Sequence, residues 1–173
     1  MSNTLKVTID EECFINGMDL GGRKTITVST GINQFTRQVK KVKTSTLSAL
    51  VKFDTTTNQN AGQYIAEKVR YLRFTNLSRD VDAMLHFHGG AVTGNPINAY
   101  FSLPANTSMM VFGNVDTSSP GSDKTGVEKS FFVATNAGTG SGAGSASVAL
   151  EDLEIVNAVS TSEIQIETIV ATV

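Results

Sequence analysis

The sequence predicts an all-β protein: a single antiparallel β-sandwich, jelly-roll-like, with long polar loops. Three observations lead there. Roughly ten short runs alternate apolar with polar or β-branched residues, and Gly, Ser and Asn clusters divide them at strand-and-turn spacing. Only one stretch carries helical spacing. No fixed-period repeat occurs, which argues against a solenoid or propeller. Hydrophobic residues make up 40% of the 173, enough for one core, and charged residues only 17%, below the usual ~25%. The polar surface therefore rests on Thr, Ser, Asn and Gly. The length fits one domain, 1–173, with 1–23 as an extended N-terminal arm or edge strand.

Taken in order, Leu5, Val7 and Ile9 alternate with Lys6 and Thr8 in a first strand, which Asp10-Glu11-Glu12 interrupts. Phe14-Ile15 is a second short strand before Asn16-Gly17, a strong hairpin dipeptide. Asp19–Arg23 reads as loop. Ile26 and Val28 form a strand whose other face is Thr-rich, as β-branched residues favour. Ile32, Phe35, Val39 and Val42 fall at helical spacing, but Phe35–Lys43 is β-branched, lacks Ala and Leu and has no C-cap signal, so it reads as strand. Thr46–Phe53 alternates Leu47, Ala49, Val51 and Phe53 against Ser48 and Lys52, and 54–62 is loop. Gln63–Glu67 is an extended lead-in or one helical turn.

Lys68–Gly90 is the centre of the pattern. Leu72 and Phe74 mark the buried face of one strand, Leu85 and Phe87 that of the next. The turn formers of Asn76–Asp82 lie between, and the two strands are expected to pair as a hairpin. Ala99, Phe101 and Leu103 give another strand, Pro104-Ala105-Asn106 a turn, and Ser108–Phe112 a short apolar strand. Gly113–Gly126 is polar loop, Val127–Thr135 strand, and Asn136–Ser147 a Gly/Ser/Ala-rich loop. Strands at Ala149–Val156 and Glu163–Val170 follow. The expected core is Val28, Leu47, Val51, Leu72, Phe74, Leu85, Phe87, Phe101, Val111, Phe131, Val133, Ile164 and Ile166.

Composition narrows function by what it lacks. The formal net charge of −2 gives no general attraction to nucleic acid, and no specific nucleic-acid binding is expected. No apolar run approaches the ~20 residues that span a bilayer, and the first residues carry no apolar stretch of a secretory signal. The single cysteine, Cys13, forms no intramolecular disulfide. Beside Phe14 and Ile15 it reads as a buried, inert thiol.

His86 and His88 lie two apart on a strand, share a face and are the metal-ligand candidates, with Asp80 or Asp82 as a third ligand. Two same-face histidines more often make a solvated face or a subunit contact, so no metal and no other cofactor is expected. The glycines of 138–144 approximate a dinucleotide loop, but a strand-like segment follows where a helix is required. The segment 121–125 lacks the glycine a phosphate loop places before its lysine. Asp116, Asp123, Glu128, Glu151, Asp152 and Glu154 have no Ca²⁺-loop spacing, and no G-x-S-x-G elbow occurs. No catalytic residues are expected, and the chain is read as a non-enzyme. Arg37, Lys40, Lys41 and Lys43 form a basic strand without interleaved aromatics apart from Phe35, which suits a docking surface for an acidic partner.

GINQF at Gly31–Phe35, the Thr-rich strand near it, KVRYLRFTNL at Lys68–Leu77 and the acidic, Ala/Ser/Thr-rich ending Glu151–Val173 resemble small virion structural proteins of tailed bacteriophages, of the cyanophage and marine-phage type. The resemblance runs from Gly31 onward, on short motifs. It implies an all-β component assembled in many copies, made in the host cytoplasm and mounted on the virion, with no catalytic residues. Within that class it points to a capsid decoration (cement or knob) protein, with the major capsid protein as partner. A tail or fibre-adaptor component is the rival. From another class, a carbohydrate-binding β-sandwich would use Tyr64, Tyr71 or Tyr100. The apolar faces of the two terminal strands suggest a homo-oligomer, and the resemblance suggests a trimer.

Overall fold

The computed structural model describes residues 3–54, 62–92, 95–113, 132–135, 146–149 and 153–173. An N-terminal ribbon comes first. β1 (Thr4–Glu11) pairs antiparallel with β4 (Gly22–Thr30), and a small hairpin of β2 (Phe14–Ile15) and β3 (Met18–Asp19) caps it. Then come β5 (Gln34–Val42), β6 (Ser48–Asp54), β7 (Tyr64–Ile65), a single 3-10 turn (Ala66–Lys68), β8 (Val69–Asn76), β9 (Ala83–Val92), β10 (Asn95–Leu103) and β11 (Ser108–Phe112). β12 (Phe132–Thr135) pairs with β13 (Ala146–Ala149), and β14 (Leu153–Ser160) and β15 (Ile164–Thr172) follow.

Two sheets form the sandwich. One has the order β11-β8-β15-β5, the other β10-β9-β14-β6-β7. The antiparallel all-β sandwich is as the sequence predicts; among the described strands the two-residue β7 joins parallel, to β6. Eight strands carry the fold, and they nest. β5 pairs with β15, β6 with β14, β8 with β11, and β9 with β10. The first of the eight thus lies beside the last, and each later strand beside its counterpart counted from the end.

This order corrects the expected central hairpin. β8 and β9 do not pair; they belong to opposite sheets. Alternation fixes which face of a strand is buried, not which strand lies beside it. Leu72 and Phe74 do face Leu85 and Phe87, but across the core rather than along one sheet. The rings of Phe74 and Phe87 meet edge-to-face, centroids 5.9 Å apart, and Phe101 meets Phe87 likewise at 5.4 Å. The loop 77–82 therefore spans the sandwich, and Asn76 ties it down. This fully buried side chain donates through Nδ2 to Val81 O (2.8 Å) and Leu103 O (3.2 Å), and its Oδ1 accepts from Ser78 N (3.0 Å).

The main core holds Val51, Leu72, Phe74, Leu85, Phe87, Val111, Ile164 and Ile166 as expected, with Phe101 partly buried against it. Leu47 does not join it; it is 54% exposed. The strand starts at Ser48, two residues later than expected, and its alternation breaks where the register with β14 slips between Val156 and Asn157. Leu50 and Val51 consequently both point inward, as a bulge permits. Phe131 lies outside the described residues, as does the side chain of Val133. Lys40 closes the sandwich edge. Its Nζ donates to Leu50 O at 2.7 Å, and burial, helped by Lys52, pulls its pKa below the ordinary lysine value.

A second cluster lies on the outer face of the four-stranded sheet. Val28 and Ile32, with Leu5 and Val7 beside them, cover Tyr71, Ile169 and Ala171. This corrects the expectation that the closing strand needs a partner subunit to bury it. β15 is interior, between β8 and β5, and the base of the ribbon covers part of its outer side. Beyond its base the ribbon is open. At its tip Cys13 is exposed, not buried, since only the two-residue hairpin surrounds it. Asn16 (φ 52°) and Gly17 (φ 80°) form the turn there, and Leu20 N donates to Cys13 O at 2.7 Å. Gly21 marks the neck of the tip, because a Cβ there would sit 2.0 Å from Glu11 O.

Candidate functional site

The outer face of the five-stranded sheet gathers the polar chemistry. The register sets Asn98 beside His88 and Tyr100 beside His86, and on the other flank Ile155 beside His88 and Asn157 beside His86. The two imidazoles share a face, as two-residue spacing on a strand requires. Both reach the Asn98 side chain. His86 Nε2 lies 2.7 Å and His88 Nδ1 2.9 Å from Asn98 Oδ1. An amide oxygen only accepts, so with the oxygen in that position both rings donate. His86 is then left with a buried Nδ1 that has no hydrogen-bond partner, and His88 Nε2 faces Glu154 Oε2 at 3.5 Å. The Tyr100 ring stacks on His86 at 4.6 Å between centroids and 10° between planes, while keeping 58% of its surface exposed.

The histidines are brought together as expected, but not with the aspartates proposed to complete a metal site. Asp82 Oδ1 accepts from Ala105 N at 2.8 Å, and Asp80 lies against Ser78 in the crossing loop. Among the described residues no group of three or more His, Cys, Asp or Glu is placed to hold a metal ion. Asn98 is the member of the cluster that sequence reading missed. Its cue was β10 pairing with β9, which sets position 98 against 88. Beside the cluster runs a shallow open groove of about 650 Å³, lined by Asp82, Met84, Tyr100, Ser102, Val159 and Thr161 among others. Of the three tyrosines considered for sugar stacking, only Tyr100 offers a face. Tyr64 and Tyr71 are buried in the two cores.

The basic strand is not one basic face. β5 puts Arg37 and Lys41 on the outer side of its sheet and Lys40 on the inner, as alternation demands, and Lys43 lies just past its end. Lys41 pairs with Glu163 at 3.0 Å. Arg37 and Arg73 both grip the buried carboxylate of Glu167, Arg73 Nη2 at 2.7 Å from Oε1. Burial raises the pKa of Glu167, but the hydrogen bonds and charges of Arg73 and Arg37 outweigh it and hold the carboxyl below its ordinary value of 4.5.

A depressed carboxyl pKa means the unfolded state binds the proton more readily. The stabilisation is therefore complete above the ordinary value and lost as pH falls through the depressed one. Because Arg37 is 67% exposed, solvent screens the pair, and Glu167→Gln should cost about 2 kcal/mol near neutral pH rather than the ~3–5 of a fully buried pair. Thermal melts of both proteins across acid pH check this: the gap should narrow below pH 4.5. A gap independent of pH would refute the charge argument.

No family model, curated protein or solved structure matches this chain.

Proposed function

We propose that the chain is a structural protein of a tailed-phage virion, and within that class a capsid decoration (cement or knob) protein seated on the major capsid protein. The observation that carries this reading is the nested strand order. Eight strands paired first-to-last through fourth-to-fifth, over two sheets, support a jelly-roll plan, which capsid domains use. The projecting apolar-tipped ribbon and the low surface charge support an assembly role, as does the resemblance of Lys68–Leu77. On this reading the protein is made in the host cytoplasm, mounted in many copies, and works as a homo-oligomer, with a trimer the expected form.

The test is mass spectrometry of density-banded particles from the source lysate, with heads and tails separated. Peptides of this chain in the head band at fixed ratio to the major capsid protein are the expected result. Recovery with tails would move it to the tail or fibre-adaptor class. Recovery only in the soluble fraction would overturn the virion reading.

One observation favours a second reading, a carbohydrate-binding module: the open face of Tyr100 beside the shallow groove. Stacking of a sugar on that ring predicts glycan-array binding that Tyr100→Ala abolishes while the melting temperature stays near the wild-type value. Absence of any glycan signal for the wild type would dispose of it.

A further inference from the structure

We infer that the tip of the N-terminal ribbon docks on the outer face of β5 in a second copy of this chain. The tip is a preformed apolar knob. Phe14 is 70% exposed, Ile15 50%, Met18 60% and Leu20 60%, on a two-residue hairpin fixed by the Asn16-Gly17 turn and the Leu20–Cys13 hydrogen bond. Among the described residues nothing buries it, and its preformed turn lowers the ordering cost of binding. Its charge is mainly of one sign, with Arg23 opposite Asp10 where the tip joins the ribbon. Residues 10–22 carry Asp10, Glu11, Glu12 and Asp19 and no Lys or Arg.

The complement lies on the same chain but elsewhere. On the outer face of β5, Phe35 is 55% and Val39 53% exposed, and Arg37 and Lys41 alternate with them. Of the four cations in residues 33–43, Lys40 faces inward, Arg37 and Lys41 lie on this face and Lys43 lies just past its end. Lys41 pairs with Glu163, while Arg37 and Arg73 share the single Glu167, so these five groups leave one excess positive charge on the face. An apolar knob flanked by acids thus has a matching apolar patch of net positive charge. Within one copy the two stay apart, because the base of the ribbon is packed on Tyr71 and Ile169 while tip and patch both remain open. A contact between two different surfaces is heterologous, and it closes into a ring when the rotation between copies allows. The inference does not depend on the virion reading. It gives self-association a physical basis that the buried closing strand does not.

Light scattering coupled to size exclusion, on purified protein at micromolar concentration, tests it. The wild type should give a mass well above the 18.4 kDa of one chain. The pair Phe14→Ser and Met18→Ser should reduce it to a monomer without shifting the melting temperature, since both side chains are exposed. Glu11→Lys with Glu12→Lys, and separately Lys41→Glu with Lys43→Glu, should each be monomeric alone. Mixed together, these two charge-reversed proteins should co-assemble, because each tip then meets a patch of opposite sign. A monomeric wild type, or charge-reversed variants that oligomerise as the wild type does, would overturn the proposal. Particle proteomics is a separate readout, so failure here leaves the virion reading standing.

Discussion

Phe74→Ala lowers the melting temperature by on the order of 10 °C. Phe74 is fully buried, and it touches the opposite sheet through the ring of Phe87. Truncating a buried phenylalanine costs ~3–5 kcal/mol, part lost transfer energy and part cavity. In a domain of this size each kcal/mol moves the midpoint by ~2–4 °C. The cavity would open between two sheets held in place by their own hydrogen bonds, so little collapse can fill it. Calorimetry of the variant is the check, and a shift of a degree or two would mean the sheets do not meet at this ring. A cycle with Phe87→Ala should return a coupling of about 0.5–1.5 kcal/mol, as expected for an edge-to-face pair.

Asn76→Ala is the second large loss, expected at about 3 kcal/mol. The side chain is fully buried and makes three hydrogen bonds to backbone groups of the crossing loop and of β10. Deleting it strands the carbonyls of Val81 and Leu103 and the amide of Ser78, and each buried orphan costs ~1–3 kcal/mol unless water reaches it. Asn76→Asp separates bonding from packing. It keeps the shape but sets carboxylate oxygen against two carbonyls, so it should destabilise at least as much at neutral pH. Urea titration of the three proteins measures the difference, and an Asp variant as stable as wild type would show that these bonds do not hold the loop.

The strands were legible because alternation is local. Leu72, Phe74, Leu85 and Phe87 declare their buried faces within a few residues, and β5 reads as strand despite the helical spacing of Phe35, Val39 and Val42. Strand partners were not legible. Whether β8 returns beside itself or crosses to the other sheet is set by distant strands, here β11 and β15, and no residue of the loop 77–82 announces it. Bulges defeat alternation for the same reason. The slip opposite Val156 turned Leu50 inward, and no glycine or proline in Ser48–Asp54 marks it. Cys13, Phe14 and Ile15 were misleading in another way. An apolar cluster normally reads as core, and only the ribbon geometry shows that this one sits at a projecting tip. At the candidate site the histidine pair was legible and Asn98 was not, since it joins the cluster only through cross-strand register.

The nested order also governs how the chain comes together during synthesis. β15 is the last of the eight sandwich strands to leave the ribosome, yet its place is between β8 and β5, and β14 similarly separates β9 from β6. Until they emerge, the nascent sandwich can form the local pairs β8–β11 and β9–β10 but has no strand to join them to β5 and β6. β5 waits without a sheet neighbour and β6 with only the two-residue β7, their edges open to other chains. Folding of the sandwich is thus deferred until these two strands are made, and translation arrested before Ile164 should yield an aggregation-prone intermediate rather than a smaller folded unit.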